Sequence, residues 1–440
     1  MKVSKYNIII PQNNFVILYN SFKDVFCGVS QTIATLLQSG DIDRLRNYAH
    51  DSFLSLYKKG FIIDDCVNEM DLIKEEYNNA KYGQEQFYLM VFPTQDCNLK
   101  CWYCYESHKP NTRMSQTVIG DILKHVERKL KESSIRRFRL GFFGGEPLID
   151  FDRIGYPLAK GIKALCDNKG ISFASFFVTN ATLISDSMIS KFEELNPYFQ
   201  ITLDGDKNKH NNVRIWKDDN RGTYEQIVSS IMKLASRIPY TKDSDDPRIT
   251  LRINYDNNTL RNLDSLLSDI KDINRDQISI HFERVWQTRD AVDDVQRELL
   301  INTITKFVKA GFIITHGIFR RKSISCPSDS DNFYIVNYDG TIHKCNGRTL
   351  SDETREGYLN HDGNLEWDMK RRNFRLGIIT FDNEACRNCK ILPLCMGPCS
   401  QKLIESGAFC KQICSKSSID MSVEDYLSAE FEMRYILSKI

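Results

Sequence analysis

The chain has 440 residues, with 59 Lys and Arg against 58 Asp and Glu, a formal charge of +1. That balance gives bulk electrostatics no pull toward nucleic acid or an anionic membrane, and no apolar run approaches the ~20 residues of a membrane span. Residues 1–11 lack a signal peptide's apolar region and cleavage site, so the expected compartment is the cytoplasm, where the fourteen cysteines should not form disulfides. Eleven of them crowd into residues 97–104 and 326–414, as metal ligands do and structural cysteines do not.

Residues 1–85 read as a region of their own. A β-like piece at 14–19 is followed by polar helical stretches, then by a glycine and a hydrophobic strand around 56–63. This order predicts a small winged-helix-like unit. Cys27 and Cys66 have no neighbouring ligands and read as core cysteines. From Phe87 the pattern is regular: β-like segments at 87–94, 137–144, 173–179, 199–204, 248–255 and 278–285 alternate with helical ones. The stretch 117–130 shows the helical spacing, with Val118, Ile119, Ile122, Leu123, Val126 and Leu130 apolar. Cys166 falls on such a helix and reads as core. Strand–helix alternation implies parallel strands and right-handed crossovers. Residues 86–312 are therefore expected to form an α/β fold, a partial (β/α)6 TIM-like barrel, with its ligand-contacting residues at the strands' C-terminal ends. The basic runs at 124–139 and Lys370-Arg371-Arg372 read as a solvated helix face and a solvated loop.

Just after the first of these strands comes Cys97-Asn98-Leu99-Lys100-Cys101-Trp102-Tyr103-Cys104. The spacing C-x3-C-x2-C lets one loop give a thiolate to each of three irons of a four-iron cube, leaving the fourth iron without a protein ligand. Zinc would want four ligands in two close pairs. Gly144-Gly145-Glu146-Pro147 closes the second strand, with two glycines that allow close backbone approach and a carboxylate that can accept from an ammonium. Together these motifs resemble the radical S-adenosylmethionine (SAM) enzymes, whose open iron binds the amino and carboxylate groups of SAM and which carry an aromatic at the place of Tyr103. The resemblance implies that Tyr103, Gly144, Gly145, Glu146, Pro147, Asn180 and Arg252 bind the cofactor. Two strand ends keep a structural alternative: Thr179-Asn180 as a helix cap and Asp204-Gly205 as a turn. The polar stretch 206–222, with His210 and Arg214, faces either substrate or solvent. His281 and Glu283 alternate along the sixth strand and face either the barrel interior or the core.

The second cysteine zone reads C-x13-G-x4-C, then C-x2-C-x5-C-x3-C and two late cysteines: Cys326, Cys345, Cys386, Cys389, Cys395, Cys399, Cys410 and Cys414. A hairpin is expected between the first two, turning at Asp339-Gly340. The spacing resembles the SPASM extension of radical SAM proteins, expected here over 313–420. That likeness implies a first auxiliary cluster on Cys326, Cys345 and Cys399, its fourth ligand open, and a second on Cys386, Cys389, Cys395 and either Cys410 or Cys414, Cys414 being preferred. A treble-clef zinc site on Cys386 to Cys399 is the competing reading. Residues 421–440 form a last helix, expected to pack against the barrel.

The family likeness implies three [4Fe–4S] clusters and SAM, cleaved to a deoxyadenosyl radical that takes hydrogen from an unactivated carbon. Auxiliary clusters suit the removal of a second electron, so the expected activity is that of a peptide maturase: an oxidoreductase installing a thioether, C–C or C–O cross-link in a ribosomally made precursor. Residues 1–85 would bind the precursor's leader by strand addition, and a flavodoxin or ferredoxin would supply electrons. The sulfatase-maturating branch has an aspartate base after the cysteine of G-x4-C; Asn346 stands there, and an amide cannot take the proton. A zinc-binding scaffold and a radical RNA-modifying enzyme are the readings from other classes, and nucleic acid is not an expected partner. No catalytic side chain, peptide or bond is legible.

Overall fold

The computed structural model describes residues 1–238, 247–285, 287–288, 294–316, 321–406, 414 and 420–437. Cys410 lies outside them. The chain divides into two units, one of residues 1–81, 317–329 and 377–440, the other of residues 82–316 and 330–376. No helix among the described residues is long and apolar enough to cross a membrane.

The first unit holds strands β1 (Lys2–Val3), β2 (Asn7–Pro11), β3 (Val16–Asn20), β4 (Val25–Val29) and β5 (Ile62–Ile63). β2, β3 and β4 form an antiparallel sheet in that order, and β1 pairs with β5. Three short helices separate β4 from β5. Ser30 and Asp41 start the first two by accepting from the backbone N–H three residues on. Their apolar faces bury Ile33, Leu37, Leu45, Phe53 and Leu56 against Val16 and Leu18.

A second core of this unit joins distant parts of the sequence. Tyr6, Phe22, Ile73 and Tyr77 pack with Phe381, Leu392 and Met396, and Cys386 and Cys389 lie against them. The late cysteine segment thus shares its core with the N-terminal region. The last helix, Val423–Leu437, lies on the N-terminal sheet: the Phe431 ring is 6.0 Å from Phe15 and 5.6 Å from Phe26, and Arg434 pairs with Asp24. The expected packing against the barrel is therefore corrected, because the aromatic partners of its apolar face are on β4 and at the start of β3. Cys27 packs at the edge of the core, but Cys66 is exposed, not a core residue.

Asn20 ties this unit together from a fully buried position. Its amide donates to Ser4 Oγ, Asn7 Oδ1 and the Gly60 carbonyl, while its oxygen accepts from the Phe22 and Lys23 N–H groups. Asn20→Ala takes this partner from Asn7 Oδ1, the Gly60 carbonyl and the Phe22 and Lys23 N–H groups, while Ser4 Oγ keeps Glu69, and is expected to cost about 3 kcal/mol, read as a lower urea midpoint.

The second unit is built on one sheet whose strands are β6 (Gln86–Phe92), β7 (Arg137–Phe142), β8 (Ser172–Thr179), β9 (Pro197–Thr202), β10 (Ile249–Tyr255), β11 (Ile278–Arg284), β12 (Ile313–His316), β13 (Phe333–Asn337), β14 (Thr341–His343), β15 (Gly357–Leu359) and β16 (Leu365–Trp367). The order across it is β12-β11-β10-β9-β8-β7-β6-β13-β14-β15-β16. All strands from β12 to β13 run parallel to their neighbours, and the last four form an antiparallel meander. The fold is thus mixed α/β with a large, mostly parallel sheet, and the six expected segments are β6 to β11. Two further parallel strands extend it. β12 adds to β11, and β13 of the cysteine zone pairs with β6, Phe333 opposite Tyr88. The expected hairpin is β13–β14, with Gly340 at φ +81° in its turn.

Crossover helices cover one face of the sheet. Helix Gln116–Glu132 buries Ile119, Ile122, Val126 and Leu130, and helix Gly155–Asp167 buries Cys166 with Leu158 and Ile162. The basic triplet Lys370-Arg371-Arg372 is no loop: it opens helix Met369–Leu376, where Arg372 pairs with Asp331 and lies 4.5 Å over the Trp367 ring.

Candidate functional site

The C-terminal end of β6 runs straight into the thiol loop. Its backbone is pinned on one side by residues 215–217, with Lys100 N–H donating to the Ile215 carbonyl and Lys217 N–H to the Asn98 carbonyl. On the other side lies the GGEP turn after β7: the Glu146 N–H donates to the Asp96 carbonyl at 2.8 Å and the Gly145 N–H to that of Thr94. A side chain at Gly144 or Gly145 would collide with those same carbonyl oxygens, and Gly144 sits at φ +124°. The glycines are thus required by the loop's own backbone.

Glu146 is buried. Its carboxylate accepts from Leu148 N–H (3.0 Å), Thr179 Oγ (2.7 Å) and Asn180 N–H (2.8 Å), which locks the GGEP turn onto the end of β8. Burial pushes its pKa up and these donors oppose the rise. A carboxylate has about four acceptor sites, so one remains for an ammonium. Asn180 is a brace for the thiol loop: its amide donates to Asn98 Oδ1 at 2.9 Å and points at Cys97 Sγ, 3.9 Å away. It does not cap the following helix, a task that falls to Ser185.

Tyr103 sends its hydroxyl into a buried polar knot. It donates to Asp204 and accepts from Arg214 (2.8 Å) and Asn254 (3.1 Å). Asp204 accepts in turn from the backbone and side-chain N–H groups of Asn254, so it is far more than a turn residue. His210 is fully buried, with Nδ1 accepting from the Asp204 N–H and Nε2 donating to Thr223; burial holds its pKa well below the usual imidazole range. The stretch 206–222 therefore turns inward at both of its candidate residues.

Arg214 is the candidate that sequence reasoning left undecided. Its guanidinium is buried, bonds Tyr103, stands 3.7 Å from Asp204 and acts electrostatically on Cys97, Cys101 and Cys104 alike. Its Nε–H is buried with no hydrogen-bond partner. The flanking apolar residues Val213, Ile215 and Trp216 were the available sign that this segment is buried.

Around the three thiols, burial pushes every pKa up, that of Cys104 to about 11. Held here as thiolates they require positive charge beside them, which Arg214 supplies in part and a metal cluster would complete. The loop also reaches the second cysteine zone within its unit. Tyr105 donates to the Asn346 carbonyl, next to Cys345, at 2.6 Å, and Thr349 Oγ donates to the Tyr105 carbonyl at 3.0 Å.

In the other unit the late cysteines fall into two groups. Cys386, Cys389, Cys395 and Cys414 act on one another electrostatically, and burial pushes the Cys386 thiol up to about 11. Cys326 does so with Cys399. Among the described residues no three of His, Cys, Asp and Glu converge as ligands of a single metal ion; thiolates on separate irons of a cube need no such convergence.

Arg252 lies on β10, with Nε donating to Asn254 Oδ1 at 3.0 Å, and 3.9 Å from Glu283 on β11. Among the described residues no hydrogen bond takes it to the thiol loop, although it acts electrostatically on Tyr105; Asn254 stands between it and Tyr103.

Residues 91–244 match the radical SAM superfamily. The chain is similar to the radical SAM cyclopropyl synthase TigE of Paramaledivibacter caminithermalis, 23% identical over 446 aligned positions that cover 90% of this chain and 89% of that protein. It is 22% identical to the cysteine-type anaerobic sulfatase-maturating enzyme of Clostridium novyi, over 70% of this chain and 85% of the other. Among solved structures, native anSMEcpe with AdoMet and a peptide bound has a TM-score of 0.53 at 18% identity, covering 80% of this chain and 97% of that one. Streptococcus suis SuiB bound to the precursor peptide SuiA has a TM-score of 0.52 at 13% identity, covering 95% and 100%. This chain carries a radical SAM domain.

Proposed function

We propose that the chain is a peptide maturase that uses SAM-derived radical chemistry to install an oxidative cross-link in a ribosomally made precursor. The observation that carries the reading is the three-thiol loop, with Cys97 buried at its start and the buried guanidinium of Arg214 beside it. Cys97, Cys101 and Cys104 would each hold one iron of a cluster. The open iron would take the amino and carboxylate groups of SAM, with the free acceptor site of Glu146 toward the ammonium and the unpartnered Nε–H of Arg214 toward the carboxylate. Bound there, SAM and the reduced cluster supply a radical that removes a hydrogen atom from the substrate. The chain's own part is to hold both reactants close and keep water out.

The oxidative outcome rests on the late cysteines. The group of Cys386, Cys389, Cys395 and Cys414 has the right number of thiols for a second cluster, and Cys326 and Cys399 are the thiols of the same unit left toward a third. Such clusters suit the removal of the second electron that cross-linking demands. The likeness to SuiB bound to its precursor peptide and to anSMEcpe bound to a peptide supports a peptide as substrate. Formylglycine formation, the reaction of the sulfatase-maturating relatives, is disfavoured by Asn346 where that branch carries its base. A flavodoxin or ferredoxin is the proposed electron donor, and residues 1–85 the proposed leader-binding region.

The test is anaerobic co-expression with each short reading frame that flanks the gene, followed by mass spectrometry of the peptides. A peptide lighter by two hydrogen atoms, with the new bond placed by fragmentation, is the expected result. Conversion of a cysteine or serine to formylglycine would replace this reading with sulfatase maturation. Deleting residues 1–85 is not a clean test of leader binding, because Tyr6, Phe22, Ile73 and Tyr77 also form the core against which Cys386 and Cys389 lie.

A further inference from the structure

Glu106 follows the third thiol by two residues, and the backbone on either side sets its place. Its own N–H bonds the Cys104 sulfur. Before it, Tyr105 donates through its hydroxyl to the Asn346 carbonyl at 2.6 Å and accepts at its carbonyl from Thr349 Oγ at 3.0 Å. After it, the Ser107 N–H donates to the same Thr349 hydroxyl at 3.3 Å. Glu106 is thus fixed where the thiol loop meets the segment after Cys345, within one unit.

The carboxyl group has no partner to match this fixed backbone. Its Oε1 is buried and meets no hydrogen-bond donor among the described residues. No cation among them offsets the burial either. Arg214 acts electrostatically on Cys104 and Arg252 on Tyr105, but neither acts on Glu106, whose pKa is pushed up by burial alone. Both guanidinium groups are engaged elsewhere: Arg214 bonds Tyr103 beside Asp204, and Arg252 holds Asn254 and approaches Glu283. On the adjoining strand His281 is held by Thr315 and Glu283, at 3.0 and 3.2 Å. Burying an acceptor without a donor is costly, and burying an unpaired carboxylate more so. A group left in that state calls for a role.

We propose that Glu106 receives a basic side chain, Lys or Arg, of the precursor peptide, and so fixes which part of the peptide lies beside the thiol loop. The inference rests on the maturase reading and names the substrate feature that its site selects. Position separates this carboxylate from the groups assigned to SAM. Glu146 is fastened to the start of the loop, its N–H on the Asp96 carbonyl, whereas Glu106 lies beyond the last thiol, toward Asn346 and Thr349. Chemistry selects the cation. A carboxylate accepts and does not donate, and a charged donor makes the shorter, stronger bond. A Lys or Arg brought there fills the vacant acceptor and supplies the missing counter-charge, which keeps the carboxylate ionised. A neutral amide would fill the acceptor and leave the charge uncompensated.

The probe is the peptide that wild-type enzyme converts in the co-expression trial, synthesised with a fluorescent label. Its affinity for the iron-loaded full-length enzyme is read by anaerobic fluorescence anisotropy. Glu106→Gln keeps the size and an acceptor but not the charge, and should weaken peptide binding by about 30-fold. SAM affinity, read by equilibrium dialysis, should stay within about threefold of wild type. Iron content and melting temperature show that the variant is folded. Each Lys and Arg of the peptide is then changed to Met in turn. At one position the change should cost wild-type enzyme a similar factor and cost Glu106→Gln less than about threefold, as a direct pair requires. Peptide affinity unchanged in Glu106→Gln, no basic position whose loss weakens binding to wild-type enzyme, or a converted peptide with neither Lys nor Arg would overturn the assignment. So would a loss of SAM affinity as large as that for the peptide, which would give the carboxylate to the SAM sulfonium. In each of these cases the maturase reading stands. If wild-type enzyme converts none of the peptides, that reading falls and this assignment with it.

Discussion

Cys101→Ala should reduce deoxyadenosine formation from SAM and dithionite to below about one-thousandth of wild type. The same protein should lose one cluster's worth of iron and keep the rest, because Cys326, Cys386, Cys389, Cys395, Cys399 and Cys414 belong to the other unit. The physical reason is ligand count. Three thiolates hold a cube with one open iron, and removing a middle ligand leaves two, spaced too far along the loop to retain it. Liquid chromatography of the reaction mixture and iron and sulfide assays make the check. Normal deoxyadenosine release from the variant would refute the role given to the loop.

Arg214→Ala should weaken SAM binding by about 100-fold, or roughly 2.7 kcal/mol, and lower thermal stability as well. Two effects combine. The carboxylate of SAM loses a buried charge-assisted donor, a contact whose truncation costs about 2–5 kcal/mol. Asp204 and the Tyr103 hydroxyl lose the cation that compensates them in a buried knot, and breaking a buried pair costs about 3–5 kcal/mol. Arg214→Lys separates the two. It keeps the charge near Asp204 but not the planar fork, so stability should largely return while SAM affinity stays low. Binding is read by equilibrium dialysis with labelled SAM on the reconstituted protein, and stability by thermal melting. Wild-type affinity in Arg214→Ala would contradict the placement of the SAM carboxylate.

The parallel strands were readable because local chemistry writes them: Phe138, Leu140 and Phe142 alternate with Arg137 and Arg139, and Leu251 and Ile253 with Arg252 and Asn254. The thiol loop was readable because its three cysteines fall within eight residues. What escaped reading is long-range. β13 joins β6 through a pairing of Phe333 with Tyr88, and nothing local announces it. β12 is four residues long, too short to show a period. Helix Val423–Leu437 chose the N-terminal sheet through Phe15, Phe26 and Asp24, partners about 400 residues away. Arg214 lay in a polar stretch whose composition suggests solvent, yet it is buried and bonds Tyr103, and the apolar Val213, Ile215 and Trp216 around it were the one local sign of that. Glu146 carried the opposite lesson. The motif was found, but most of its acceptor capacity is used to fasten the loop to β8.

The central claim is that the cluster on Cys97, Cys101 and Cys104 keeps one iron open for SAM. Electron–nuclear double resonance on the anaerobically reconstituted, reduced enzyme, with SAM labelled by 15N at its amino group and 17O at its carboxylate, tests it most directly. Hyperfine coupling to both labels, lost in Cys101→Ala, is the predicted result. A fourth protein ligand on that cluster and no coupling to either label, or zinc in place of iron on those thiols, would contradict it.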